Sequence, residues 1–303
     1  HVDLCIPSIY DWLLSINQFI PINCKKQKNI NTELLDDVLY DTIPYTYDTA
    51  PDNLKFKFKY YFNSFPKDVF HKLQMDEVAS YSVTESHFAK VITKKILSIK
   101  GISKSMTITD ATACVGGNSI SFCQYFKRVN MIEINKKRAK MLENNISISY
   151  QSKVMKLKAD YQIINDNYIN GLQQIPIQHR DIIFFDPPWG GPNYKNKKFI
   201  MPYLNKESID KVVITMCENG FKWVVLKLPV NLDEEQFDIK DYKIIVDEDL
   251  KTKNNKSKMK LMIINCGKQF INNKVGGGRT KIFKNKINKM IYREFFNGKS
   301  FDT

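Results

Sequence analysis

The spacing of apolar and polar positions changes along this chain, and the changes divide it. Residues 1 to about 50 mix aromatics, prolines and polar stretches without a clean period, which reads as an irregular or partly helical arm. From Leu54 to Ile99 the pattern turns helical, in two segments separated by the stretch MDEVASYSVTES. In the second segment Val83, Phe88, Val91, Ile92 and Ile96 recur at helical spacing, with Thr84 placed as an N-cap. From Met106 onward apolar runs alternate with helical stretches. MTITDA, RVNMIEI, VMKLKAD, DIIFFD and KWVVLKL read as strands, and GGNSISFCQYF and KKRAKMLENNISIS as helices, the latter with its basic residues outward. YKIIVDED and KMKLMIINCG read as an antiparallel pair, joined by a loop carrying Lys251, Lys253, Lys256 and Lys258. This alternation predicts an α/β fold with a mostly parallel, doubly wound, seven-stranded sheet. The expected organisation is an arm over 1–53, a mainly helical extension over 54–100 roofing the site, a core over 101–267 and a basic tail over 268–303.

Charge adds a partner to this picture. Lys and Arg number 46 against 32 Asp and Glu, a formal charge of +14, and such a surplus favours nucleic acid or an acidic membrane surface. A solvated face in a Lys-, Asn- and Ile-rich proteome is the plain alternative. That bias fits an AT-rich genome, such as that of a protist or a large DNA virus. Six scattered cysteines (Cys5, Cys24, Cys114, Cys123, Cys217, Cys266) form no C-x-x-C pair. They argue against a zinc site or any other metal and against a disulfide scaffold, and suit a reducing compartment. No apolar run reaches bilayer length, and the opening residues lack the succession of a signal peptide. The expectation is an intracellular monomer of nucleus or cytoplasm, a viral cytoplasmic protein included, that binds no membrane.

Three strand ends carry acids. Asp110 closes MTITDA and is followed by a turn with Gly116 and Gly117, and ligands of open parallel sheets bind at the carboxyl ends of strands. A glycine pair there also serves plain packing. Glu133 closes the next strand a little over twenty residues later, where a carboxylate can take both ribose hydroxyls, although a solvated strand-end acid is common. Asp160, closing VMKLKAD, is placed to accept from an adenine amino group. Together they describe an adenosine pocket. Neither the phosphate-cradling G-x-x-x-x-G-K-[ST] nor the fuller G-x-G-x-x-G of dinucleotide enzymes occurs.

DIIFFDPPWGGPNY carries the chemistry. An apolar strand delivers Asp186, Pro187, Pro188 and Trp189 into the same crevice, and prolines leave the carbonyls of the turn free to accept. Asp186 and a neighbouring carbonyl can hold both hydrogens of a planar amino group and orient its nitrogen toward a methyl sulfonium. Trp189 offers a face on which a base can stack.

Here the chain resembles a known family. Asp-Pro-Pro-Trp at this place is the signature of amino-directed, S-adenosylmethionine-dependent methyltransferases, and PPWGGPNY looks like the trimethylguanosine synthases, which methylate the exocyclic amine of a 7-methylguanosine cap. SVTES resembles their S-V-T-P-E segment, DATACVGGN their D-A-F-C-G-V-G-G-N, and VLKLPVNLD their L-x-L-P-R-N-x-D strand. The resemblance runs from about Tyr60 to about Asp233. It implies a Rossmann-like class I methyltransferase fold, S-adenosylmethionine as cofactor, and capped RNA as substrate. It implies that Thr84, Asp110, Gly116, Asn118, Glu133 and Asp160 serve the cofactor, that Asp186, Pro187, Trp189 and Tyr194 hold the guanine with Asp186, Pro187 and Trp189 at the chemistry, and that Asn231 helps at the cap phosphates. Three departures matter. Asp186 stands where the family usually has Ser, Cys114 replaces a glycine, and Val230 replaces an arginine expected at the phosphates, whose charge Lys227 or the 251–260 lysines could supply. A 7-methylated guanine is cationic, so stacking on Trp189 gains about 0.5–2 kcal/mol over a neutral base, and a carboxylate at Asp186 suits it. The competing readings are an RNA or DNA adenine amino methyltransferase using the same turn, and a non-catalytic RNA-binding adapter with the same fold.

Overall fold

The computed structural model describes residues 43–252 and 254–267. Most of the proposed arm, the basic tail and Lys253 lie outside the described residues.

The extension consists of α1 (Asp52–Phe62), α2 (Lys67–Phe70), α3 (Ala79–Ser82) and α4 (Ser86–Leu97). α1 starts behind Pro51, whose fixed φ suits a helix entry, and buries Leu54, Phe58 and Phe62 at every fourth residue. α4 does the same with Phe88, Ile92 and Ile96. Thr84 does not cap α4: Glu85 holds that position, without a side-chain cap bond, and the Thr84 hydroxyl points into the crevice instead.

β1 (Thr107–Asp110), α5 (Gly117–Tyr125), β2 (Arg128–Ile132), α6 (Lys136–Gln151), β3 (Asp160–Ile164), α7 (Tyr168–Gln173) and β4 (Ile182–Phe185) follow in alternation. After a two-stranded ribbon of β5 (Tyr203–Leu204) and β6 (Glu207–Ser208) come α8 (Ile209–Glu218), β7 (Trp223–Leu228), β8 (Lys243–Lys251) and β9 (Ser257–Asn265). The large sheet has seven strands in the order β3-β2-β1-β4-β7-β9-β8, and β9 alone runs against its neighbours. It is the mostly parallel Rossmann-like sheet expected. β4 and β7 are buried along their whole length, as parallel strands covered by helices on both faces must be. Phe122, Phe184 and Ile263 pack on one face with α4, α5 and α6, while Phe185, Leu226 and Val212 pack on the other with α8.

Three sequence readings are corrected. The third strand is not VMKLKAD but DYQII: Lys156 adopts a left-handed φ of 53°, so the chain turns there, and pairing with β2 begins at Asp160. Cys217 and Cys266 are disulfide-bonded, 49 residues apart in sequence, because antiparallel β9 ends beside the last turn of α8. The basic residues of α6 do not all face outward: Arg138 turns in, its Nε 2.9 Å from the Asp76 carboxylate.

Candidate active site

In this strand order the chain leaves β1 toward β3 on one side and returns to β4 on the other, so the switch point lies between β1 and β4. The carboxyl ends of those two strands deliver Asp110 and Asp186. Beyond β1 the backbone folds into a tight loop. Cys114 sits at φ 50°, the left-handed region where the resembling family has glycine, and Gly116 follows at φ 99°. Asn145, buried on α6, fixes this loop by donating to the Val115 carbonyl across 2.9 Å. Burial pushes the Cys114 thiol far above its ordinary range. At Gly117 a β-carbon would meet Val83 Cγ2 at 2.7 Å and the Thr84 nitrogen at 2.9 Å, so only glycine lets α5 abut the Val83–Thr84 backbone.

Three expected residues, Asn118, Thr84 and Asp186, join here in one hydrogen-bonded chain, and Asp110 and Glu133 take their own donors beside it. Asn118 donates its side-chain amide to Thr84 Oγ1 (2.9 Å), and Thr84 donates to Asp186 Oδ2 (3.3 Å). Ser119 donates its hydroxyl to Asp110 Oδ2 (2.6 Å). Glu133, just beyond β2, accepts the backbone N–H groups of Cys114 and Asn135, each at 2.9 Å. All three carboxyls are held above their usual range, chiefly by burial: Asp110 to about 7 despite the Ser119 hydroxyl, Glu133 despite its backbone donors and Arg138, and Asp186 despite Lys227. Three acids thus meet in one crevice, where Asn118 Oδ1 is buried and unpartnered, which concentrates acceptors there.

Asp160 does not belong to it. It begins β3, at the amino edge of the sheet, with a side chain 70% exposed and 3.7 Å from Arg128. The acid beyond the carboxyl end of that strand is Asp166, two residues past Ile164, which accepts from the Asn167 N–H at 2.8 Å. An Asn-Asp-Asn turn after the apolar Ile163–Ile164 pair is the signal that points to it.

The other side of the crevice is the Asp186–Tyr194 turn. The Asp186 N–H donates to Thr112 Oγ1 (2.7 Å), locking the turn onto the β1 loop. Trp189 meets the Tyr194 ring edge-on, centroids 5.1 Å apart, and its buried Nε1 has no partner. Pro187 is buried. Asn231 is engaged with backbone: its amide donates to the Tyr194 carbonyl (3.2 Å) and the Lys197 carbonyl (2.7 Å), so it shapes the turn.

The expected sources of phosphate charge are corrected in two places. Lys227 is buried, with Nζ 2.5 Å from Asp186 Oδ2 and 5.0 Å above the Trp189 ring. Lys258 lies in β9, not in the loop. It bonds Tyr60 (2.6 Å) and Glu85 (3.1 Å) and sits over the Phe88 ring at 4.4 Å. Lys258 thereby ties α1 and the start of α4 to the sheet. Tyr61, beside it, is pushed up to about 12 by burial and by its neighbours Tyr60, Glu85 and Tyr81. Among the described residues no group of three His, Cys, Asp or Glu could hold a metal ion, and no helix is long and apolar enough to cross a membrane.

A parallel sheet with a single reversed strand, acids at its switch point and Asp-Pro-Pro-Trp beside them define a class I methyltransferase. The model of the RNA cap guanine-N2 methyltransferase family matches residues 105–291, and the chain belongs to that family. An uncharacterized protein of Acanthamoeba polyphaga mimivirus is 41% identical over 144 residues, covering 46% of this chain and 54% of that protein. The trimethylguanosine synthase of Schizosaccharomyces pombe is 28% identical over 165 residues, 54% of this chain and 65% of that one. The chain thus spans under two thirds of the curated relatives it matches. Among solved structures it is similar to a Porphyromonas gingivalis protein described as a methyltransferase (TM-score 0.49, 14% identity, 64% of this chain and 44% of that one).

Proposed function

We propose that this chain methylates the exocyclic N2 amine of a 7-methylguanosine RNA cap, once or twice, with S-adenosylmethionine as donor. Family membership supports methyl transfer, and the crevice fits that cofactor: an unpartnered amide oxygen at Asn118, no room for a side chain at Gly117, and buried acids for its hydroxyls and charges. When bound, the cofactor supplies an electrophilic methyl group. In this reading Glu133 takes the ribose hydroxyls, Asp166 replaces Asp160 near the adenine, and Thr84, Asp110, Gly116 and Asn118 line the remainder. Residues 54–100 roof the site.

The observation that carries the reading is the state of Asp186. Both donors that reach its carboxylate, Lys227 and Thr84, use Oδ2; among the described residues nothing occupies Oδ1. A free acceptor beside the Trp189 ring holds an amino N–H of a stacked base and so aims the nitrogen lone pair. The ion pair with Lys227 leaves little net charge on Asp186, and this keeps a second reading, transfer to a neutral adenine amine, in play. Offering labelled S-adenosylmethionine with 7-methyl-GDP, GDP and an adenine oligonucleotide separates them. Label on 7-methyl-GDP alone is expected. Equal turnover of GDP sinks the cap reading, and label on adenine promotes the second.

A further inference from the structure

Among the described residues Lys227 is the only buried lysine, and nothing in the cofactor half of the site explains it. Removing an ammonium from water costs several kcal/mol unless it is paired with good geometry. Its partner is fixed by register. β4 and β7 run parallel with Phe185 opposite Leu226, so the next residues, Asp186 and Lys227, emerge side by side at the crevice. Their side chains are only 11% and 7% exposed.

We propose that Lys227 is a positioning residue for methyl transfer: it anchors Asp186 by one oxygen and keeps it an acceptor, so that the other oxygen orients the substrate amine. The inference rests on the amine-methylation reading above. Oδ2 already has two donors, Nζ of Lys227 and the Thr84 hydroxyl, which fixes the carboxylate plane and leaves Oδ1 facing away from both. The charged groups that face Asp186 are Lys227 from β7 and the like-charged Asp110 from β1. Burial favours the protonated carboxyl; Lys227 supplies the only positive charge opposing it, helped by the Thr84 hydroxyl. A protonated Asp186 would present a donor where the amine also donates, and the contact would be lost. The Lys227 ammonium also covers one side of Trp189, which leaves the base the other.

The test is kcat against pH for the full chain and for Lys227→Met, with saturating S-adenosylmethionine. At pH 7 the variant should lose about tenfold or more in kcat. Its acid limb should move up by about 1–3 pH units, the effect of removing an opposite charge within contact distance, so that activity returns in alkaline buffer. Calorimetric affinity for S-adenosylmethionine should stay within about twofold. A variant profile superimposable on the wild type overturns the proposal. Because Lys227→Met leaves an uncompensated buried acid, which costs stability, the double variant Asp186→Ser, Lys227→Met is measured beside it. It should fold and exceed Lys227→Met at pH 7; no gain means that the two residues do not act as a pair. If the wild type labels adenine instead of 7-methyl-GDP, the substrate reading fails while the same profile on adenine still decides the role of Lys227. If it labels neither, the carbon-13 carboxyl titration of Asp186 decides it, an upward shift in the variant supporting the proposal and no shift ending it.

Discussion

Ser119 donates its hydroxyl to Asp110 across 2.6 Å at the end of β1, yet burial pushes the Asp110 carboxyl up to about 7. The folded value lies above the unfolded one of about 3.9, so the folded state binds this proton more tightly. Its stabilising contribution is complete below pH 4, declines as pH rises, and is gone above about 7, where the fold buries a charge. Asp110→Asn should therefore raise the melting temperature of the ligand-free protein relative to wild type at pH 8, by less at pH 5, and have little effect below pH 4. In the proposed function the same titration bears on S-adenosylmethionine, a cation. Wild-type affinity should rise through pH 7, and the Asn variant should bind weakly at every pH. Melting curves and calorimetry at both pH values check it; parallel pH dependence in wild type and variant removes Asp110 from both roles.

Asp160 and Asp166 sit at opposite ends of β3. Asp160→Ala should change S-adenosylmethionine affinity by less than about 0.5 kcal/mol, as at an ordinary exposed position. Asp166→Ala should weaken binding by about 1–3 kcal/mol, the cost of leaving a polar partner unpaired. Calorimetric titration of the two variants decides, and the reverse ranking would restore Asp160 to the pocket.

Gly117→Ala tests the contact between α5 and Thr84. The added β-carbon meets backbone, which cannot swing aside, so about 1–3 kcal/mol of stability should be lost. Thr84 should also shift from Asn118 and Asp186, so kcat should fall more than the melting temperature implies. Wild-type kcat in a destabilised variant would separate this contact from the site.

Trp189→Ala should abolish measurable turnover of 7-methyl-GDP and leave cofactor affinity intact. Trp189→Phe, which keeps a smaller face, should mainly raise KM, within the factor that about 1–3 kcal/mol of base stacking allows. An unchanged KM in Trp189→Phe together with lost cofactor binding in Trp189→Ala would place the ring in the cofactor pocket instead.

Much of this architecture was legible because strand ends announce themselves. Asp110, Glu133 and Asp186 each follow a short apolar run and precede a turn, and all three meet in the crevice. The third strand misled because Val154, Met155 and Leu157 mimic a strand, while the pairing partners of β2, Tyr161 to Ile164, look less apolar. Only the left-handed turn at Lys156 separates the two. Thr84 looked like a cap since Thr favours that role locally; its partners Asn118 and Asp186 lie 34 and 102 residues away. Lys227 carried a usable sign, a lone lysine inside a wholly apolar strand that must be buried on both faces. Its partner was visible only once β4 and β7 were neighbours. The Cys217–Cys266 bond left no trace in spacing, since sheet order and not sequence distance brings the two together.

The position of β9 sets an order of assembly. It is the last of the described strands, yet it lies between β7 and β8, and its Lys258 reaches Tyr60 across 198 residues. Until a ribosome has released residues 257–265, β7 has a bare hydrogen-bonding edge, β8 has nothing to pair with, and α1 and the start of α4 lack their tie to the sheet. Such late, long-range closure slows folding and leaves an adhesive edge on the nascent chain. A chain ending ahead of Ser257 should therefore accumulate as aggregate, even though it contains the whole Asp-Pro-Pro-Trp turn and every acid of the cofactor crevice.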